Sequence, residues 1–242
     1  MDIRFKIAFL LIILIIAGAG FLAYCDDCFE VKTVITKPKV VLPPSPPEKI
    51  ISVLDVPFVS EAPENIWKGS WVNACEEASI MMVDEYYKGN ISVSTSTAKT
   101  YLSNLFTVQK KLYGSDANSD SVRIKKMIDE NTEFKAEIVI NPTIEDIKNE
   151  IKAGRPIISL HRGFDLKNPN IPFLPTGSSY HTVVVVGYDD LNKSFVVHDP
   201  GDQYSGANYT YTYSDFMNSL HDYNHKTNLA DGVPTVIFTA KR

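Results

Sequence analysis

An unbroken apolar run of eighteen residues, Ile7 to Tyr24, has no place on the surface of a water-soluble domain. As a helix it reaches the lower end of what spans a hydrocarbon core of about 30 Å. Arg4 and Lys6 precede it, while Asp26, Asp27 and Glu30 follow. Basic residues tend to stay on the cytoplasmic side, so the N-terminus is expected inside and the remainder outside. Ala17-Gly18-Ala19 offers an alternative as a signal-peptidase site, which would make residues 1–24 a cleaved signal peptide and the rest secreted. The run continues past that tripeptide, which favours a single-pass transmembrane anchor. Either reading places the rest of the chain outside the cytoplasm.

The next segment is a spacer. From Thr36 to Lys49 the chain reads TKPKVVLPPSPPEK, whose five prolines exclude a helix or an inner strand and favour polyproline II. At about 3.1 Å per residue such a stalk spans about 40 Å. Residues 25–50 are therefore assigned as a linker and residues 51–242 as the folded domain. Its roughly 190 residues suffice for one well-buried core. The formal charge of −5, with no Lys/Arg-rich run and no phosphate-cradling loop, excludes nucleic acid as an expected partner.

Three cysteines occur. Cys25 and Cys28 form a C-x-x-C beside the apolar run, and Cys75 stands alone in the domain. No second Cys/His pair follows at zinc spacing, so the first two suit a disulfide, a lipid or an inter-chain bond better than a metal. An unpaired thiol outside the cytoplasm is exposed to oxidation. Cys75 is then either a small buried apolar residue or a reactive group.

Periodicity predicts a helix over 73–87, with Ala78, Met82 and Tyr86 on one apolar stripe. Asn73 and Glu76 have the spacing of a capping box, which puts Cys75 in the first turn. Further helices are predicted over 97–112, 121–130 and 143–153, and strands over 156–160, 182–188, 194–198 and 233–239. An extended piece covers 53–59. Helices followed by strands at hairpin spacing indicate an α+β fold with antiparallel pairing.

A nucleophilic cysteine needs its thiolate, which a helix N-terminus favours through unsatisfied N–H groups and the helix dipole. It also needs a base and a group that orients the base. His221 and His225 sit in a polar stretch and read as solvated. If the DDLNK turn centres on Leu191, Val183 faces Asp199, and His181 becomes a diagonal neighbour of Asp199 on the same sheet face. A one-residue slip would undo that, and His198 points away from Asp199 in either register.

The stretch VPFVSEAPENIWKGSWVNACEEASIMMV, residues 56–83, resembles the nucleophile region of the C39-like peptidase family, a branch of the papain-like cysteine peptidases. GRPIISL, HTVVVVGYDD and FVVHDPG follow in matching order. The resemblance implies a papain-like fold, with a Cys-bearing helix packed on an antiparallel sheet that carries His and Asp. It implies Cys75 as nucleophile, His181 as base and Asp199 as orienting acid, acting on a peptide or protein substrate without metal or organic cofactor. The sequence departs from the family at one position. A glutamine that commonly donates to the oxyanion is matched here by Glu61, and an ionised carboxylate there would repel developing negative charge. Asn73 is an alternative donor. An amidase or transpeptidase using the same site, or a peptide-binding module with impaired turnover, are the rival expectations.

Lesser features read as structural. Asp116, Asn118 and Asp120 have the spacing of a calcium loop, but Ser121 stands where the loop needs glycine. Asp189-Asp190 suits a turn. The long loop from Arg162 to Tyr180, with three prolines, is expected to shape entry to the site.

Overall fold

The continuous apolar run TVVVV is the centre of a six-stranded antiparallel sheet. A strand with one wet face would alternate, and this one does not because both of its faces are covered. The computed structural model describes residues 53–173 and 179–242, all within the unit Pro46–Arg242. The apolar run 7–24, the Cys25–Cys28 pair and the proline stalk lie outside the described residues. Among the described residues no helix is long and apolar enough to cross a membrane.

The strands are β1 (Phe134–Ile140), β2 (Ile157–Arg162), β3 (Tyr180–Asp189), β4 (Ser194–His198), β5 (Tyr209–Thr212) and β6 (Thr235–Lys241), in spatial order β1-β6-β2-β3-β4-β5. The helices are α1 (Cys75–Tyr87), α2 (Thr95–Tyr113), α3 (Ser121–Asn131), α4 (Ile144–Lys152), α5 (Gly163–Leu166) and α6 (Tyr213–Ser219). A five-residue 3-10 turn, Gly69–Asn73, leads into α1. The sheet divides the core in two. On one face Val184 and Val186 pack with Ile80, Met82, Leu102 and Ile124 from α1, α2 and α3. On the other, Val183 and Val185 pack with Ile147, Ile151 and Phe216 from α4 and α6.

The α+β class and the Cys-bearing helix on an antiparallel sheet hold. Two strands, β1 and β5, were not predicted. The 53–59 segment is extended but joins no ladder; it is tied down by Leu54 N–H to Val186 O at 2.8 Å and by the His198 ring to Val56 O, also 2.8 Å. The single apolar stripe predicted for α1 is corrected. Every residue from Cys75 to Glu85 is buried, because the helix lies between the sheet and α2 and α3.

Candidate active site

Cys75 opens α1 and is 2% exposed. The predicted capping box does not form. Ala74 is the N-cap and offers no side-chain acceptor, while Asn73 ends the 3-10 turn and lines the adjacent cavity. Glu76 has turned inward instead. One of its oxygens accepts Ser119 N–H at 2.7 Å, and the other accepts the Cys75 thiol at 3.0 Å. A long-range contact thus outcompetes the local cap, and the backbone N–H of Cys75 stays at the open end of the helix.

The register of β3 and β4 decides whether His181 meets Asp199. Asp189 pairs with Ser194, so the turn centres half a residue beyond Leu191. Carried through, that pairing would set Asp199 across from Val184, on the wrong face. A β-bulge at Val186 absorbs one residue, after which Val185 pairs with Val197 and Val184 with His198. One step further, Asp199 stands across from Val183, as expected. His181 Nε2 donates to Asp199 Oδ1 at 2.7 Å, and because the ionised carboxylate only accepts, the ring proton belongs on Nε2. Nδ1 is left to face the thiol.

Asp199 is fully buried and well supplied with donors. Tyr211 O–H and Asn168 Nδ2 donate to Oδ2, the latter at 3.3 Å, and Gly201 N–H donates to Oδ1 at 3.0 Å. A side chain at Gly201 would sit 3.0 Å from the His181 ring, so the glycine permits that approach. Burial raises the Asp199 pKa, but the charge and hydrogen bond of His181, with Tyr211 and Gly201, hold it below the ordinary range. Burial also pushes His181 down, yet Asp199 outweighs this and the imidazole is raised.

Glu61, Cys75 and His181 each point one donor atom into a common space, all within 4.8 Å of one another. They line a cavity of about 470 Å³, walled by Trp67, Val72, Ile171 and Phe173. Phe173 packs on the His181 ring at 5.1 Å between centroids, so the 162–180 loop reaches the site as expected. The electrostatics oppose a resting thiolate. Burial, with Glu76 and Glu61 nearby, pushes the Cys75 thiol well up. The acids are affected as well. Burial raises Glu61 to about 8, with Asp199 and Glu76 adding to it and His181 opposing. Glu77, whose carboxylate oxygens find no partner among the described residues, is raised well above normal, mainly by burial. At neutral pH Glu61 therefore holds its proton, and its repulsion of the thiolate is removed.

The other candidates are placed elsewhere. His198 bridges Asn208 N–H and Val56 O, and His161 lies between Ser159 and Ser219. His221 and His225 are corrected from solvated: the first contacts Gly232 O at 2.9 Å and the second Asp120 at 3.4 Å. The calcium-like spacing dissolves, since Asp116 binds Lys110 and Ser70 while Asp120 caps α3. Asp189 accepts Leu191 N–H and Asn192 N–H, the turn role expected of it. Tyr211, Asn168 and the inward Glu76 were missed. The alternating YTYT of β5 was the one local signal for the first of these.

A model of the Peptidase C39 like family matches residues 53–230. A solved structure from Bacillus anthracis, a candidate C39-like peptidase, aligns with a TM-score of 0.52 at 17% identity, covering 81% of this chain and 98% of that one. At that identity it speaks for the fold alone. No curated protein matches.

Proposed function

This chain belongs to the Peptidase C39 like family, and from that membership we propose a membrane-anchored, extracytoplasmic cysteine peptidase that cleaves peptide bonds through Cys75, His181 and Asp199. The observation that carries the reading is the 2.7 Å bond from His181 Nε2 to Asp199, which leaves Nδ1 for a thiol in the same cavity. Cys75 swings from Glu76 toward His181 and gives its proton to Nδ1, and the sulfur attacks the substrate carbonyl carbon. His181 then protonates the departing amine, leaving a thioester. Water, deprotonated by His181, releases the acid and restores the thiol. Asp199 keeps the imidazole in the required tautomer and balances its charge. The oxyanion accepts from Cys75 N–H, and from Asn73 or from Glu61 while Glu61 holds its proton. The apolar run holds the domain to the membrane, and the proline stalk sets it off from the surface.

A peptide-binding module with little turnover is the second reading, favoured by burial and by Glu76, which accepts the thiol and raises it. The test uses the full chain in detergent with Cys25→Ser and Cys28→Ser, so that Cys75 is the sole thiol. Peptide cleavage should vanish in Cys75→Ala and fall on the order of 10²–10⁴-fold in His181→Ala. Alkylation of Cys75 should slow in His181→Ala. Added amine acceptors report transpeptidation. Alkylation indifferent to His181, with peptide bound but never cleaved, leaves the binding module standing.

A further inference from the structure

Glu61, Cys75 and His181 present an oxygen, a sulfur and a nitrogen to one point from three separate segments of the chain. All three residues are buried: Glu61 is 6% exposed, Cys75 2% and His181 3%. Glu61 makes a backbone hydrogen bond to Pro200 O, but among the described residues nothing donates to its carboxylate. A buried carboxyl lining a cavity without a partner lacks a counter-charge or a donor. No Lys or Arg lines the cavity, so His181, already bonded to Asp199, is the one basic side chain facing Glu61 there, while Asp202 adds a further acid.

We propose that Glu61, Cys75 and His181 form a reversible binding site for a zinc-class divalent cation, and that its occupancy masks the thiol. Three protein donors of mixed S, N and O type with a fourth position open to the cavity is the pattern of an accessible zinc site. His181 already has the orientation that metal-bound imidazoles require, with its other nitrogen donating to a buried carboxylate. Zinc bonds of about 2.0–2.3 Å would draw the donors to within about 3.5 Å of one another. Cys75 would leave its hydrogen bond to Glu76 as it turns to the metal. On binding, the thiol proton and any proton on Glu61 leave to solvent, and the metal takes their place. A glutamine at position 61 could not act as an anionic ligand, so the carboxylate is the feature that turns a Cys–His pair into a three-ligand site.

The masking consequence rests on Cys75 being the nucleophile proposed above; the binding does not. The test titrates the full chain carrying Cys25→Ser and Cys28→Ser with zinc by calorimetry and with cobalt by absorption spectroscopy. One metal per chain, a thiolate-to-cobalt charge-transfer band, and protection of Cys75 from alkylation that a chelator reverses are expected. Cys75→Ala should lose the band, and Glu61→Gln should weaken binding at least about tenfold. A cooperative urea transition of metal-free Glu61→Gln, matching the parent's, shows that this variant has folded. No binding heat and no band, or a Glu61→Gln protein that binds as tightly as the parent, would overturn the proposal. Metal binding with no peptide cleavage under any condition would instead count against the peptidase reading alone.

Discussion

A proton held on Glu61 up to about pH 8 changes what that residue can do. Ionised, it would oppose both the thiolate and the oxyanion; neutral, it presents an O–H, a donor that glutamine supplies as N–H. The groups facing it are His181, Asp199 and Glu76, and burial dominates their combined effect. In metal-free buffer with a chelator, the peptide-cleavage rate should fall as pH rises through about 8, because the donor is lost. Glu61→Gln should remove that alkaline fall while keeping cleavage at neutral pH. Rate profiles of the two proteins across that range check it, and an identical alkaline limb in both would exclude Glu61 as a donor.

Helix α1 and strand β3 carry the site, and each is buried on all sides. For α1 this means that core volume, and no amphipathic stripe alone, holds Cys75 in place. Met82→Ala should cost about 2–5 kcal/mol by leaving a cavity, measured by urea unfolding, while the folded variant keeps His181-dependent alkylation. For β3 the bulge at Val186 matters twice. It brings Asp199 into register with His181, and its carbonyl anchors Leu54 at the head of the segment that carries Glu61. The His198 ring makes the second tie to that segment, so one strand pair positions His181, Asp199 and Glu61 together.

At the scale of the whole domain, the buried acids tie folding to pH. Glu61, Glu76 and Glu77 all have raised native pKa values, so above about 4.5 the unfolded chain releases protons that the native chain keeps. The native state then binds more protons, and stability must fall as pH rises. For Glu61 the window runs from the ordinary carboxyl value of 4.5 to about 8, at about 1.4 kcal/mol per pH unit. Urea midpoints should decline across that window, and Glu61→Gln should flatten the decline. A parent midpoint that stays level from pH 5 to 8 would show that these carboxyls are not buried as described. The proposed tether belongs to this scale too: the full chain should sediment with membranes and should cease to do so on deletion of residues 1–24.

Much of this was legible from residue order alone. Helix and strand periodicity and the turn at Asp189–Asn192 are local patterns, and local patterns survive in a linear reading, whereas the pairing of Cys75 with His181 and Asp199 was expected from motifs resembling a family. The FKAEIVI of β1 also alternates, yet it lies between helices and pairs with β6 a hundred residues onward, so nothing nearby identified it. The register at Asp199 was right although the turn centre was wrong, because the compensating bulge sits inside a uniform valine run that gives no sign of it. Glu76 was read as a cap because the local spacing fits one, but Ser119, 43 positions away, took its carboxylate. The support from Tyr211 and Asn168, the proton on Glu61 and the raised pKa of Glu77 follow from burial in a packed interior. Desolvation depends on what distant segments exclude from water, and that exists only once the chain has folded.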